Sequence, residues 1–311
     1  MHRPSSDRTS DRPCDRTSDR TSDRTSDRTS DPHPPTAVAA LSRAEPHYTF
    51  GDSELAARRL ALLAAVFEPS SARLLRRVGY LQPRYALDLG CGPGWSTRLV
   101  HAVLGPQGTV GVDRSVEHLA RAAETAPPGI SYRAHEVTCV PFPDAGPEHP
   151  PDARPDFLYS RFLLTHLREP ERVVAAWASA AAESAVLVLE ETADLRCDHP
   201  AFARYYQLIE QLQASYGQRL RIGATLDAAP PGSGWKTDLS LLVRLSLPSR
   251  QMARLHALNI HSWRTDPYAR ASFDSAELDG LAARLHAIAL GHEAAPPVAS
   301  LMRQLILSRA D

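Results

Sequence analysis

The sequence predicts an α/β fold with a doubly wound, mostly parallel sheet, and two observations carry that prediction. Between residues 85 and 189, short apolar segments alternate with segments of helical period, the order typical of parallel strands joined by crossover helices. The first strand runs into three glycines at alternate positions, Leu87-Asp88-Leu89-Gly90-Cys91-Gly92-Pro93-Gly94. Such a glycine loop at a strand end is typical of α/β folds that bind a ligand there.

Seven strands and a series of helices are predicted from the apolar periodicity. The strands are expected at residues 85–89, 109–112, 130–134, 157–160, 185–189, 239–247 and 302–307. A first helix, capped by Asp52 or Ser53, is expected to end before Pro69 because proline cannot continue the helical hydrogen bonding. The other helices are expected at residues 71–78, 95–104, 116–124, 169–183, 201–216, 250–263 and 275–290.

A repeat of the tetrad Asp-Arg-Thr-Ser fills residues 7–31, and a Pro/Ala-rich stretch follows it. The repeat has nothing apolar to bury, and a helix would align like charges at i and i+4, so disorder is predicted for residues 1–46 as tail and linker. The tail is either a charged interaction segment or a translated DNA repeat. One domain of the size of an enzyme is predicted for residues 47–311, with a helical lid insertion at about 194–238.

Composition narrows the classes of partner. The chain of 311 residues has 35 basic and 36 acidic side chains, which gives no basic footprint for nucleic acid. No apolar run approaches the roughly 18–20 residues that span a bilayer, and the N-terminal region lacks the apolar core of a signal peptide, so a cytoplasmic location without membrane contact is predicted. The four cysteines are scattered, and no metal site is predicted from them.

The spacing around the glycine loop distinguishes between nucleoside cofactors. A dinucleotide fold would need a glycine where Trp95 stands, which weakens the hypothesis of a nicotinamide oxidoreductase. Asp88 on the strand side of the loop suits a ligand with an ammonium group, as S-adenosylmethionine has. Asp113, at the end of the next strand, is placed to accept hydrogen bonds from a ribose diol; it or Ser115 could also cap the following helix.

With these motifs the chain resembles the class I S-adenosylmethionine-dependent methyltransferases, and its motif order resembles most closely the ubiquinone/menaquinone-biosynthesis and trans-aconitate branch. The resemblance implies a Rossmann-like sheet and an acidic residue before a Leu-Pro-Phe-Pro-like segment, here Glu136 before Val140-Pro141-Phe142-Pro143, with the adenine beside it. The Pro-rich residues 144–155 are longer than is usual in that branch. From the loops and the resemblance together, the cofactor-binding residues are predicted to be Tyr48, Asp88, Gly90, Gly92, Gly94, Asp113, Arg114, Glu136, Val137 and Arg161.

The residues that would bind the acceptor are less clearly indicated by the sequence. His166 follows the fourth strand at the ligand-binding edge and is the candidate general base, with a structural histidine as the alternative. Of Glu190 and Glu191 at the end of the fifth strand, one is expected to face the pocket and the other to face solvent. Glu190 is a candidate catalytic residue, and the favoured alternative is a structural carboxylate that neutralises a nearby arginine. Arg59 is expected to be a solvated helix residue, and Arg264 is a candidate partner for an acidic acceptor.

These observations predict a methyltransferase that moves a methyl group from S-adenosylmethionine to oxygen, nitrogen or carbon of a small-molecule acceptor, in secondary or cofactor metabolism. The non-enzymatic alternative is a catalytically silent regulatory or partner protein that binds the cofactor and methylates nothing. A monomer or a homodimer is expected.

Overall fold

The computed structural model describes residues 53–144, 146, 150 and 152–310; Tyr48 and the predicted tail and linker lie outside the described residues. The described residues form one seven-stranded sheet, which confirms the predicted fold class. Its strands are β1 Tyr85–Leu89, β2 Gly108–Asp113, β3 Ile130–Ala134, β4 Phe157–Arg161, β5 Val186–Arg196, β6 Trp235–Leu247 and β7 Val298–Arg309.

The strand order in the sheet is β3-β2-β1-β4-β5-β7-β6. Strands β1 to β5 are parallel, whereas β7 runs antiparallel between β5 and β6. Leu89 pairs with Val112 of β2 on one side and with Ser160 of β4 on the other, so these three strands end at the same level. Chain order reverses between β1 and β4, and in open α/β sheets such a switch point opens a crevice at the carboxyl ends of the strands.

Helices cover both faces of the sheet. Their bounds are α1 Glu54–Leu75, α2 Trp95–Leu104, α3 Val116–Glu124, α4 Pro170–Ala180, α5 Pro200–Ser215, α6 Ser249–Trp263, α7 Pro267–Ser272 and α8 Ser275–Leu290. On one face, Leu75 of α1 and Val100 of α2 pack with Phe157 of β4. On the other, Trp177 of α4 packs with Leu158 of the same strand. None of the helices in the described ranges combines the length and the apolar character needed to cross a bilayer.

A third apolar cluster joins the later helices to one another. It contains Phe67 of α1, Phe202 of α5, Trp263 of α6, Leu285 of α8 and Met302 of β7. Of these helices only α5 falls within the predicted lid range of 194–238, because α6, α7 and α8 lie between β6 and β7. The limits of a lid remain a prediction, but the helical layer itself reaches well beyond that range.

The prediction that a helix ends before Pro69 is wrong, since α1 continues through Pro69 to Leu75. Pro69 and Ala65, whose carbonyl loses its helical partner there, both lie on the exposed side of the helix. Water can therefore satisfy that carbonyl, while Ser71 and Leu75 beyond the proline are buried against the sheet. Tertiary packing outweighs the local cost of the proline.

Trp177 anchors α4 to the sheet, and its replacement measures how much this packing contributes to stability. Its side chain is 0% exposed, and its Nε1 donates a hydrogen bond of 2.8 Å to the carbonyl of Val137, in the segment after β3. Trp177→Ala is expected to lower the free energy of unfolding by about 3–5 kcal/mol because it leaves a large cavity. Trp95→Ala, at a half-exposed tryptophan, should cost less than about 1 kcal/mol. Urea denaturation followed by circular dichroism measures both; equal effects would contradict this account of the core.

Candidate functional site

A cavity of about 450 Å³ opens at the carboxyl ends of β1, β2 and β4, at the switch point of the sheet. We call it the first cavity; its volume is in the range of small-molecule sites. Most of the predicted site residues come together around it. Those that line it are Gly90, Gly92, Asp113, Arg114, Glu136, Val137, Arg161 and His166.

The glycine loop forms part of this wall with bare backbone. Gly90 and Gly92 have φ of 71° and 52°, a region that side chains other than glycine rarely adopt. A Cβ added at Gly90 would lie 2.8 Å from a methyl carbon of Leu163, which lines the same cavity. The loop is held by N–H groups of Gly90 and Cys91, which both donate to the carbonyl of Val112 at 2.9 Å.

Asp113 links this loop to the end of β2. Its Oδ2 accepts a hydrogen bond of 2.9 Å from the N–H of Gly92, and its Oδ1 accepts one of 2.9 Å from the N–H of Ser115. Ser115, rather than Asp113, caps α3, since its hydroxyl accepts from the N–H of His118. A carboxylate offers about four acceptor sites, so two remain for a diol in the cavity.

Two predicted cofactor residues, Asp88 and Gly94, lie behind the loop rather than on the cavity wall. Asp88 is 0% exposed, and its Oδ2 accepts hydrogen bonds of 2.7 Å from the hydroxyls of Ser96 and Thr97 at the start of α2. Burial raises the pKa of Asp88 to about 6. A Cβ at Gly94 would lie 2.2 Å from the Tyr132 hydroxyl. Their positions show how they shape the loop, and their contact with a cofactor stays a prediction.

The predicted position of Arg59 is wrong. The side chain is only 4% exposed and lines the first cavity, although a solvated position was expected. Arg59 stands four residues from both Leu55 and Leu63, in the apolar stripe of α1. A charged residue inside that i, i+4 series was the signal that could have identified it.

A second, smaller cavity of about 100 Å³ adjoins the first. Both cavities are lined by Arg59, Leu63, Phe162 and His166, so these side chains stand where the two meet. Phe162 has φ of 56°, an uncommon conformation for a bulky residue, and its ring packs edge-on against Phe67 at a centroid distance of 4.9 Å. The strained residue at the junction fits the tendency of backbone strain to occur at functional sites.

His166 ends a short 3-10 turn, Leu164–His166, that follows β4. Desolvation by burial, together with the nearby charge of Arg59, lowers the pKa of the imidazole to about 3, although a hydrogen bond with the Gln218 side chain opposes this shift. At neutral pH the ring is therefore uncharged. It can exchange hydrogen bonds with a ligand, but it is a weak base in this environment.

The expectation for Glu190 and Glu191 is wrong, because both are buried and neither lines either cavity. Glu190 accepts hydrogen bonds from the Tyr159 hydroxyl at 2.5 Å and from Gln304 Nε2 at 2.7 Å. Glu191 Oε1 accepts a hydrogen bond of 2.7 Å from the N–H of Leu164. The long antiparallel pairing of β5 with β7 covers this strand end, which the sequence pattern did not indicate. Glu191 thus supports the turn that carries His166.

Arg264 also lies away from both cavities. Its Nη2 forms an ion pair of 2.7 Å with Asp279 of α8, so it joins two helices of the third cluster. The expected contact with an acidic acceptor is not supported by this position.

The family profile described as Methyltransferase domain matches residues 52–224, which is more than half of the chain. The chain belongs to this methyltransferase family. The predicted family and Rossmann-like fold are thereby confirmed, and S-adenosylmethionine is the cofactor of this domain, as the loop motif and Asp113 predicted.

Two curated relatives are both trans-aconitate 2-methyltransferases. The chain is 46% identical over 57 residues to the protein from Klebsiella pneumoniae (strain 342), a match that covers 18% of this chain and 22% of the relative. It is 30% identical over 120 residues to that of Delftia acidovorans, which covers 39% and 42%. The chain therefore spans less than half the length of these relatives.

Among solved structures, a protein described as a methyltransferase from Bacillus halodurans C-125 superimposes with a TM-score of 0.50 at 12% identity. The superposition covers 78% of this chain and 100% of that chain. At this identity the likeness concerns the fold.

The buried Glu191 predicts a dependence of stability on pH. Desolvation raises the pKa of its carboxyl to about 8, above the ordinary value near 4.5. The folded protein thus binds this proton more tightly than the unfolded chain, and the free energy of unfolding is expected to fall as pH rises toward 8, by up to roughly 1.4 kcal/mol per unit. Glu191→Gln should flatten this slope between pH 6.5 and 8, above the pKa of Asp88.

Glu183→Gln, at an exposed carboxylate just before β5, is the matched control and should leave the slope unchanged. Urea unfolding at four pH values measures all three proteins. A slope in Glu191→Gln equal to that of the wild type would show that Glu191 is not the group responsible.

Proposed function

We propose that this protein transfers a methyl group from S-adenosylmethionine to a small-molecule acceptor that binds in the second cavity. The main support for this proposal is the pair of adjoining cavities. The glycine loop and Asp113 line the first cavity, and Phe162 and His166 stand where the two cavities meet. A protein that only bound the cofactor would have no need of the second cavity. A cytoplasmic location and a monomeric or homodimeric state remain predictions.

The first cavity fits the cofactor in its chemistry. Asp113 has acceptor sites left for the ribose hydroxyls, and the bare loop at Gly90 and Gly92 lets a ligand lie against backbone. Glu136 and Val137 line the part of the wall that follows β3, which is the proposed adenine side. Arg161, whose Nη1 donates to Ser71 of α1 at 3.0 Å, closes the wall beside β4. When bound, the cofactor supplies a sulfonium-activated methyl group.

The protein then contributes mainly by aligning the two reactants and by excluding water. In-line displacement depends on these two effects more than on proton transfer. Arg59, Leu63 and Phe162 narrow the passage between the cavities and fix the line along which donor and acceptor meet. His166 stands at the same place with a neutral ring. We assign it a positioning role through hydrogen bonding to the acceptor, because a group with a pKa of about 3 takes up a proton poorly at neutral pH.

The donor assignment is tested with Asp113→Ala. Loss of the charged acceptor and of its hydrogen bond to Gly92 is expected to weaken S-adenosylhomocysteine binding by about ten- to a hundredfold in calorimetry. Glu124→Ala, at an exposed carboxylate at the end of α3, is the control and should bind as the wild type does. Methyl-labelled S-adenosylmethionine with a metabolite extract, read by mass spectrometry, should label a small molecule only with proteins that bind the cofactor. Unchanged affinity in Asp113→Ala would refute the ribose assignment.

For His166, the expected result separates positioning from base catalysis. His166→Ala should lower kcat/KM for the acceptor identified by labelling by about tenfold, because one neutral hydrogen bond is lost. Its affinity for S-adenosylhomocysteine should stay within threefold of the wild type. His166→Gln, which keeps a hydrogen-bonding side chain, should recover most of that loss. The rate of the wild type should show no inflection from this residue between pH 5.5 and 8. An inflection that disappears in His166→Gln would instead identify a general base.

A further inference from the structure

The inner wall of the second cavity is a cluster of polar side chains on two facing helices. Tyr205, Tyr206 and Gln213 come from α5, and His256 and Asn259 come from α6. All five are buried in the helical layer, where apolar side chains would be the ordinary choice. Burial of a polar group lowers stability unless the group forms hydrogen bonds, so each of these five side chains is expected to have hydrogen-bond partners.

Some of the cluster is satisfied internally. Asn259 Nδ2 lies 2.5 Å from the Tyr205 hydroxyl, and the Tyr206 hydroxyl lies 3.0 Å from His256 Nε2. The His256 ring also stacks on Tyr205 at a centroid distance of 4.0 Å. These contacts hold the side chains in place and leave their other polar atoms for a different partner.

Three polar atoms of the cluster are buried and have no hydrogen-bond partner among the described residues: Gln213 Oε1, Asn259 Oδ1 and His256 Nδ1. Gln213 is 1% exposed, so solvent does not compensate it. Amide oxygens accept hydrogen bonds and cannot donate them. Because Gln213 and Asn259 line the second cavity, a ligand there that presents O–H or N–H groups would satisfy their amide oxygens.

The charges around the second cavity limit the ligand further. Among the described residues that line it, Arg59 is the one with a formal charge, and it stands at the junction, where it also faces the first cavity. Burial lowers the pKa of His256 to about 3, so this ring is neutral, as His166 is. A buried carboxylate needs a paired cation or several donors, and the five side chains of the inner wall include no cation.

Size sets the remaining limit. The second cavity, at about 100 Å³, has less than a quarter of the volume of the first, at about 450 Å³, so the acceptor that fits it is compact. The rest of the wall is apolar and aromatic, with Phe67, Ile209 and Leu255 beside Phe162. An acceptor that fits has an apolar body and a polar end.

We propose that the acceptor is a compact, non-anionic molecule with a hydroxyl or N–H group that donates to Gln213 and Asn259. The inference rests on the proposed methyl transfer and adds the substrate class. It differs from what the names of the curated relatives would suggest, since trans-aconitate is a tricarboxylate. Gln213 and Asn259 are then specificity determinants at the end of the cavity away from the donor.

The first test uses Gln213→Met, which keeps the volume of the side chain and removes the unsatisfied amide. Its melting temperature should rise by about 2–4 °C. Its rate on the labelled acceptor should fall about three- to tenfold, with unchanged S-adenosylhomocysteine affinity. Gln211→Met, at an exposed position of α5, is the matched control and should change neither quantity appreciably. A lower melting temperature in Gln213→Met than in Gln211→Met would show that the amide is already satisfied and would overturn the inference.

The second test reads the charge of the acceptor. Labelled products are passed over an anion exchanger at pH 8 and then treated with mild alkali. Products of a non-anionic acceptor pass through the column and keep the label, whereas retention, release of labelled methanol from an ester, or transfer to added trans-aconitate would each overturn the inference. Absence of any labelled product would count against the proposed transfer itself, and the melting temperatures decide on the unsatisfied amide in that case as well.

Discussion

The site depends above all on the attachment of the glycine loop to the end of the neighbouring strand. The carbonyl of Val112 accepts two N–H groups of the loop, and Asp113 accepts a third from Gly92. These bonds fix a backbone without side chains in one conformation, and the equal ends of β1, β2 and β4 place it at the switch point. Asp113 also holds the start of α3 through Ser115, so a single carboxylate sets the positions of two wall segments and lines the first cavity as well.

Buried polar groups around the site are unequal in function. Asp88, with Ser96 and Thr97, anchors α2 behind the loop, and Glu190 joins β4 to β7 through Tyr159 and Gln304. Both groups are bonded to the protein, although Asp88 Oδ1 is buried without a hydrogen-bond partner, and both lie away from the two cavities. The amide of Gln213, by contrast, lies on a cavity wall with its oxygen unpaired. A buried polar group is therefore a candidate for ligand binding only when it also lines a cavity; burial alone does not identify one.

The sequence predicted the first four strands, the glycine loop and the place of Asp113 at the end of β2 because all of these follow from local pattern. A strand that leads into alternate glycines needs the same backbone wherever it occurs. The failures at Arg59, Glu190 and Glu191 have a common cause, since each depends on which distant element covers the residue. Tyr159 and Gln304 hold Glu190 in the interior, the turn at Leu164 holds Glu191, and packing beyond Pro69 keeps α1 continuous, although local rules predict a break. The acceptor wall was the least predictable part because α5 and α6 are brought together only by the fold.

This division has a physical basis in how the two cavities are built. The first cavity is lined mainly by strand ends and loops, whose geometry is fixed by main-chain hydrogen bonds and tolerates few side chains. The second cavity is lined mainly by helix surfaces, where a change such as a different residue at Gln213 alters the wall without moving the backbone. In the function that we propose, donor recognition is therefore tied to the fold, whereas acceptor choice rests on a few side chains of α5 and α6. Unsatisfied polar atoms on a cavity wall lower stability in the empty protein, and a ligand that restores their hydrogen bonds offsets that cost.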